Sequence, residues 1–305
     1  MILCCGEALI DMLPRQSDAG ERAFSPYAGG AVFNTAIALG RLGSPVSFFS
    51  GLSSDLFGDI LRETLTASKV DSAPAHVSDR PTTLAFVTLT DGQASYAFYD
   101  ENTAGRMLSE ADLPDVAPTA AFFGGISLVV EPCGAAYEAL QEREADRAVT
   151  MIDPNIRPGF ITQETAYRER IARMMARADI VKLSDEDLHW LQGSGSIAEL
   201  ARSILETGPQ VVLITRGADG ATAYRASGGE VSVAATRVEV ADTVGAGDTF
   251  NAGVLASLDK ADLLTKDAVK DLSDAALTDA LTLGVRSAAI TVSRAGANPP
   301  WADEL

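Results

Sequence analysis

Short apolar runs recur along the chain and alternate with longer stretches in which apolar residues return every three or four positions. The short runs are bounded by Gly, Pro, Asp or Asn, which is typical of buried strands, and the longer stretches have a helical period. This alternation predicts an α/β fold with a mainly parallel sheet covered by helices on both faces. The predicted strands cover residues 1–5, 46–49, 120–123, 148–152, 179–183 and 211–215. The predicted helices cover residues 31–42, 55–68, 162–177, 185–192, 197–206, 246–258 and 274–290.

Two segments depart from this alternation. Residues 82–100 alternate large and small side chains on both sides of Asp91-Gly92, a dipeptide typical of tight β-hairpins. Residues 15–28 are mostly polar and also lie outside the strand and helix rhythm. Together they predict a small β lid over one end of the sheet. We expect one domain over residues 1–305, with a lid that takes in residues of about 11–28 and 82–104.

Acidic residues outnumber basic residues by 42 to 24, which gives the chain a formal charge of −18 at neutral pH. This charge argues against nucleic acid or an anionic membrane surface as a partner. A bound nucleotide would therefore need local positive groups, such as a helix N-terminus and a metal ion. The N-terminus lacks a basic segment and we see no apolar run of transmembrane length, so we expect a cytoplasmic protein. Cys4, Cys5 and Cys133 have neither metal-site nor disulfide spacing and are expected to be reduced core residues.

The segment ADTVGAGDTFNAGVLASL, residues 241–258, joins a turn of small residues to the start of a predicted helix. Gly245, Ala246 and Gly247 let the backbone turn tightly, so the first N–H groups of the helix stay unpaired and form an anion hole. Asp248 lies in this turn, and we expect it to stay ionised beside the helix dipole and to take the proton from an attacking hydroxyl. An isolated Gly-Ala-Gly-Asp turn fits a simple helix cap equally well.

Two further polar features lie near the N-terminus. Asp11 follows the first strand, at the end of the sheet where open α/β folds bind ligands. The Gly29-Gly30 pair precedes a predicted helix that carries Asn34, and a bare backbone followed by an amide allows close contact with a small polar ligand. The alternative for Asp11 is a solvated acid in a loop, and the alternative for the glycine pair is a turn with only a structural role.

Two segments after later strands carry more candidates. The DPNIRP segment offers Asn155 and Arg157 in a turn that proline keeps out of a helix, and a surface pair of Asp153 with Arg157 is the alternative. The KLSDED segment, residues 182–187, offers several acids, and a helix N-terminus capped by Ser184 is the alternative.

The strings DTVGAGDTFNAG and GGAVFNTAIALGRLG resemble the two signatures of the ribokinase/PfkB carbohydrate kinase family. The resemblance implies a three-layer α/β/α domain with a small β lid and an ATP-dependent transfer of phosphate to a sugar hydroxyl. The GEALIDMLP start, DPNIRP and KLSDED look most like fructokinases. Kinases of 2-keto-3-deoxygluconate, ribose or nucleosides are the alternatives within the family.

The resemblance also implies roles for individual residues. Asp248 would be the catalytic base, and the anion hole would consist of Gly245, Ala246 and Gly247. The sugar would be held by Asp11, Gly30, Asn34, Asn155, Arg157 and Asp248. ATP would be held by Lys182, Thr215, Gly217, Gly220, Gly247 and Ala289.

The same resemblance implies Mg²⁺ and K⁺ as cofactors and a homodimer through the lid. Asp187 stands where many members carry the glutamate of NxxE and would bind Mg²⁺ through water, although Ser184 replaces the asparagine of that motif. Potassium would be surrounded by the backbone carbonyls of Asp242, Val244 and Gly296.

Other classes of function fit the sequence less well. A catalytically silent sugar-binding regulator would not need Asp248 beside an intact glycine turn. A dinucleotide-dependent oxidoreductase would carry GxGxxG after the first strand, whereas the glycines of residues 193–198 follow a helix. The sequence has no GxxxxGK[ST] motif, and His76 and His189 lack partners at metal-ligand spacing.

Overall fold

The computed structural model describes residues 1–90 and 93–305 of the chain. The strands are β1 (Ile2–Cys5), β2 (Leu9–Gln16), β3 (Arg22–Gly29), β4 (Val46–Phe49), β5 (Gly51–Ser53), β6 (His76–Ser78), β7 (Leu84–Thr90), β8 (Gln93–Tyr99), β9 (Ala120–Gly124), β10 (Val149–Asp153), β11 (Ile180–Ser184), β12 (Val211–Thr215), β13 (Ala221–Arg225) and β14 (Glu230–Val233). The helices are α1 (Ala31–Leu42), α2 (Leu56–Ala67), α3 (Cys133–Glu144), α4 (Glu164–Arg177), α5 (Asp185–Gln192), α6 (Ile197–Leu205), α7 (Ala246–Lys260), α8 (Lys266–Lys270) and α9 (Asp274–Val292).

The main sheet has the strand order β14-β13-β12-β11-β10-β9-β1-β4. The strands from β12 to β4 run parallel, and β13 and β14 extend one edge as antiparallel strands. Since parallel strands all end at the same edge, the loops that follow β1, β9, β10 and β11 meet there. This edge carries most of the polar residues considered below.

Helices cover both faces of the main sheet, and each face has its own apolar core. Ile2 and Cys4 point to the face packed by α1, α2, α7, α8 and α9, whereas Leu3 and Cys5 point to the face packed by α3 to α6. Both faces are buried, so the strands are continuous apolar runs. The three cysteines are buried and free, as expected.

The α/β fold and the elements predicted from the sequence are confirmed, with ends that move by a few residues. The helices α3 and α8 and the strands β5, β6, β13 and β14 were not predicted. In α3 the buried face includes Gln141 and Glu144, whose polar side chains hide the apolar period. The other missed elements have three to five residues each, which is too short for a period to show.

A small sheet, with strand order β3-β2-β7-β8, lies beside the main sheet. Its strands come from the two segments that the sequence placed outside the α/β alternation. The antiparallel pairing of β7 with β8 is confirmed from Leu84 opposite Tyr99 to Thr90 opposite Gln93. The predicted turn at Asp91-Gly92 lies outside the described residues.

The C-terminal helix α9 has the length and apolar composition of a membrane span, contrary to the sequence-based statement that no such run exists. Much of it is nevertheless buried within the fold, where it packs against α7, β13 and β14. A core helix meets the same criterion of length and composition, so the helix is only weak evidence for a span.

Candidate active site

A cavity of about 510 Å³ lies between the small sheet and the N-terminal ends of α1 and α7. A volume of this size suits a small polar molecule with room for a phosphoryl group. All the residues predicted to bind sugar line it: Asp11, Gly30, Asn34, Asn155, Arg157 and Asp248. The predicted anion-hole residues Gly245, Ala246 and Gly247 also line it.

The first turn of α7 forms one wall of the cavity. Gly245 is the N-cap residue and adopts a left-handed conformation with φ of 77°, which glycine tolerates without strain. A Cβ atom on Gly245 would also lie 2.7 Å from the Cβ of Ala297, which leaves no space for a side chain. Within the described part of the chain, the N–H groups of Gly245, Gly247 and Asp248 make no hydrogen bond. This turn therefore presents unpaired N–H groups at the positive end of a helix.

Asp248 is 6% exposed and lies in that same turn. Its Oδ2 accepts a hydrogen bond of 2.9 Å from Nδ2 of Asn34, and its backbone oxygen accepts one of 3.2 Å from the Thr35 hydroxyl. Burial raises the pKa of Asp248 to about 7, and the nearby Asp153 adds to the rise while the Asn34 donor opposes it. A pKa near neutrality means that Asp248 titrates close to physiological pH, because burial disfavours the charged form.

Asp11 lies across the cavity on β2, opposite Tyr27 of β3. Burial raises the pKa of Asp11 to about 6. A Cβ on Gly29 would overlap the Asp11 carboxylate, so the first glycine of the pair provides the space for this side chain. Gly30 has φ of 110° and its own Cβ would lie 2.9 Å from the backbone oxygen of Glu7. Both glycines are thus required by close packing at the cavity wall.

A buried ion pair lies beneath the α7 turn. Nζ of Lys182 donates a hydrogen bond of 2.8 Å to Oδ2 of Asp153, and Nδ2 of Asn251 donates one of 2.8 Å to the same oxygen. The alternative of a surface pair between Asp153 and Arg157 is wrong, because Asp153 is 1% exposed. A Cβ on Gly247 would lie 3.1 Å from Nζ of Lys182, so the ammonium group lies directly beside the α7 turn.

The DPNIRP turn is held by two carboxylates. The N–H of Asn155, a residue with φ of 46°, donates to Oδ1 of Asp153 at 3.1 Å, and the N–H of Ile156 donates to Oδ1 of Asp187 at 3.2 Å. The Asp187 N–H in turn donates to the Ser184 hydroxyl at 3.0 Å, which is the helix cap considered as an alternative. Burial and the nearby Asp153 raise the pKa of Asp187.

Most residues predicted to bind nucleotide or potassium lie outside the cavity lining, and Val244 and Gly247 are the two that line it. Thr215 ends β12 next to Ser184 of β11, and the turn after it contains the two predicted glycines. Oδ1 of Asp242 accepts a hydrogen bond of 3.0 Å from the Val244 N–H, and Oδ2 accepts one of 2.9 Å from the Gly296 N–H. This carboxylate therefore joins two loops that are 54 residues apart. Eight residues predicted to bind nucleotide or a cation lie outside the described cavity lining: Lys182, Asp187, Thr215, Gly217, Gly220, Asp242, Ala289 and Gly296.

Comparison with known proteins identifies the family. Residues 1–304 match the pfkB family carbohydrate kinase. The chain belongs to this family. It is 57% identical over 279 residues to a fructokinase from Rhizobium leguminosarum bv. trifolii, across 91% of this chain and 85% of that protein.

Solved structures of carbohydrate kinases share the fold. The crystal structure of Xylella fastidiosa fructokinase with bound ATP has a TM-score of 0.87 and 29% identity, and covers 97% of this kinase and 93% of that chain. A double mutant of Vibrio cholerae O395 fructokinase, in a form with bound fructose, ADP and potassium ion, has a TM-score of 0.85 and 26% identity over 97% of this chain and 93% of that one. The ribokinase-like fold predicted from the signatures is confirmed.

Sequence reasoning did not single out every cavity residue of this kinase. Glu7, Ile126 and Phe160 line the cavity, as does Phe98, whose ring lies 4.8 Å from that of Phe160. Glu7 follows β1 closely, so the strand-end argument applied to it better than to Asp11, which the structure places within β2. Ile126 and Phe160 carried no comparable signal, because apolar residues in short turns have no period to detect.

The pKa of Asp248 leads to an expected pH profile for the kinase reaction. A base must be ionised to accept a proton, so kcat/KM for sugar should rise with pH through about 7 and fall tenfold for each unit below it. Asn34→Ala removes a donor that lowers this pKa and should move the midpoint to higher pH. Initial rates between pH 5 and 9 at saturating ATP would measure both midpoints. A flat profile over this range would exclude Asp248 as the titrating base.

Proposed function

We propose that this kinase is an ATP-dependent fructokinase that transfers the γ-phosphoryl group of ATP to a hydroxyl of fructose. The observation that carries the proposal is the buried carboxylate of Asp248 in a helix turn with unpaired N–H groups, at the wall of a polar cavity. The 57% identity to a curated fructokinase supports fructose as the sugar. A reaction that consumes ATP also supports a cytoplasmic location.

In the proposed reaction, Asp248 accepts the proton of the attacking sugar hydroxyl. The sugar oxygen bonds to the γ-phosphorus, and the bond from that phosphorus to the β–γ bridging oxygen breaks, so that ADP leaves with the electron pair. The N–H groups of Gly245 and Gly247 would stabilise the negative charge on the transferred group. The Asn34 amide would keep the carboxylate of Asp248 oriented toward the hydroxyl, since it donates to Oδ2 at 2.9 Å.

The cavity lining combines polar and aromatic groups that suit a sugar. Asp11, Asn155 and Arg157 would bind hydroxyl groups, because carboxylate, amide and guanidinium groups together accept and donate hydrogen bonds. The lining also includes the rings of Phe98 and Phe160, which would cover the apolar face of a sugar ring. Lys182 would contribute positive charge near the phosphates from its place beside Gly247. Thr215, Gly217, Gly220 and Ala289 are proposed to hold the nucleotide.

A substrate panel tests the proposal. The kinase would be supplied with ATP and with fructose, 2-keto-3-deoxygluconate, ribose or a nucleoside, and the release of ADP would be followed. We expect the highest kcat/KM with fructose. A higher value with another member of the panel would reassign the substrate, and no sugar-dependent ADP release with any of them would leave the catalytically silent regulator as the better description.

The kinase should depend on cations, because the protein has a charge of −18 and its backbone N–H groups can neutralise only part of the charge on the ATP triphosphate. We propose that Mg²⁺ is obligatory and held through water near Asp187, and that carbonyls of Asp242, Val244 and Gly296 surround K⁺. Potassium should then raise kcat more than it changes the KM for sugar, since it orients the adjacent α7 turn. Rates at constant ionic strength with K⁺, Na⁺ or a bulky organic cation would measure this. Equal kcat in all three would contradict the K⁺ site, and activity in excess chelator would contradict the Mg²⁺ requirement.

The small sheet is proposed to act as a lid within a single domain over residues 1–305. Binding of sugar should slow amide hydrogen exchange in residues 82–100, because the ribbon gains a partner surface when the cavity fills. Exchange in α6, none of whose residues lines the cavity, should not change and is the internal control. Equal exchange of 82–100 with and without fructose would count against a lid. Phe24, Tyr27 and Tyr99 are exposed on this sheet and support the further proposal of a homodimer through it.

A further inference from the structure

Glu7 is a buried carboxylate to which the proposed reaction assigns no role. It follows β1, is 7% exposed and lines the cavity together with the sugar-binding candidates. Its Oε1 accepts a hydrogen bond of 2.8 Å from the N–H of Ala31, and its Oε2 accepts one of 3.4 Å from the N–H of Ser127. One side chain therefore contacts two backbone segments that are 96 residues apart, from 31 to 127.

The first of these contacts lies at the N-terminus of α1. The N-cap residue is Gly30, which has no side chain to accept the first helical N–H groups, and the first turn contains no acidic residue. Glu7, in the loop between β1 and β2, supplies the missing acceptor, which stabilises this helix end. One turn further along, Asn34 holds the carboxylate of Asp248. The position of Glu7 is thus linked to the position of the proposed base.

The second contact holds the turn after β9, where Gly125 and Ile126 also line the cavity. A Cβ on Gly125 would overlap both carboxylate oxygens of Glu7, and Gly125 has φ of 71°. A Cβ on Gly30 would meet the backbone of Glu7 at 2.9 Å. Because both glycines pack tightly around it, Glu7 has little freedom to move, and the two turns that it joins keep a constant separation.

We propose that Glu7 is a positioning residue for the sugar: its carboxylate sets the distance between the Gly30 turn and the Gly125–Ser127 turn, which both contribute residues to the cavity lining. The inference rests on the proposed function, since it names the sugar site of that reaction. It assigns Glu7 an effect on sugar affinity and little effect on ATP affinity, because its hydrogen bonds go to segments that line the cavity together with the sugar-binding candidates.

Glu7→Gln tests this role with almost no change in shape. A glutamine keeps one acceptor oxygen but turns an NH₂ group toward the second backbone N–H, which leaves that N–H unpaired and pushes the turn away. We expect the KM for fructose and its calorimetric Kd to rise by about tenfold or more. The KM for ATP should stay within about twofold of the wild-type value. A residue that only caps α1 would lower the melting temperature and leave the fructose Kd unchanged.

Glu144→Gln is the matched control. The Glu144 side chain is also fully buried, accepts hydrogen bonds from Arg143 and Arg147, and lies at the end of α3 away from the cavity lining. This variant should lose thermal stability with an unchanged fructose Kd. If Glu7→Gln does not fold, Glu7→Asp keeps the charge but is one methylene too short to reach both N–H groups, and the same rise in fructose Kd is expected.

Two outcomes would overturn the inference. A fructose Kd for Glu7→Gln or Glu7→Asp equal to that of the wild type would remove the positioning role, and equal losses in fructose and ATP affinity would reduce it to general destabilisation. A wild-type protein that binds and phosphorylates no sugar would instead refute the proposed function, and the inference with it. Wild-type activity on the substrate panel therefore separates the two failures.

Discussion

Asp248→Asn should lower kcat by at least about a hundredfold, the usual contribution of a general base. Asparagine has the same shape and its carbonyl oxygen can still accept the hydrogen bond from Asn34, so the site should keep its geometry. The amide cannot accept the hydroxyl proton, so only the chemical step should suffer. Steady-state kinetics and calorimetric titrations would measure the effect, with Kd values for fructose and ATP expected to stay within a few fold.

A control substitution on the same helix is Asp259→Asn. Asp259 lies in the last turn of α7, three turns away from Asp248, and does not line the cavity. It should leave kcat unchanged. Full activity of Asp248→Asn would remove the proposed mechanism, whereas loss of binding in that variant would show that Asp248 acts mainly in holding the substrates.

Asp153→Ala should destabilise the fold by about 3–5 kcal/mol, because it removes the partner of a buried ammonium group. The side chains of Lys182 and Asp153 are only 4% and 1% exposed, and their 2.8 Å hydrogen bond joins β11 to β10. Asn251 of α7 donates to the same carboxylate oxygen and would lose its partner as well. Unfolding by urea, followed by circular dichroism, would give the difference in the free energy of unfolding.

The double variant Asp153→Ala with Lys182→Met separates two contributions to this loss of stability. One is the unpaired charge of Lys182, and the other is the cavity that Asp153→Ala leaves. Removing the ammonium group should recover part of the lost stability, since a buried pair can be replaced by apolar groups at small cost. If Asp153→Ala alone cost less than about 1 kcal/mol, water would have to reach Lys182, and its burial would not hold in solution.

The sequence alone was sufficient for the layered architecture. Buried parallel strands such as β9 and β12 are continuous apolar runs, and helices such as α6 carry a strong helical period, so local pattern and final fold agree. The sequence did not predict the antiparallel strands β13 and β14 at the edge of the main sheet. Short strands that complete a sheet edge are stabilised by their neighbours more than by their own pattern.

The sequence also located the glycine turn at the start of α7. The residues of the 245–248 turn are contiguous, and a left-handed glycine followed by small residues at a helix start specifies its own backbone. The sugar-binding candidates that lie in other segments, such as Asp11 and Asn155, were assigned by resemblance, and the fold places them around one cavity. Their roles remain proposals that the variants described above can test.

Only the tertiary structure decided the partners and the charge state of the site. Asn34 meets Asp248 across 214 residues, Asp153 meets Asn251 across 98, and no local pattern encodes such pairs. The pKa of Asp248 depends on how completely surrounding segments exclude water, so its rise by burial could not be read from the sequence. The sequence therefore determined the elements and the 245–248 turn through local pattern, and long-range packing determined which side chains meet and how far burial raises the pKa values of the carboxylates.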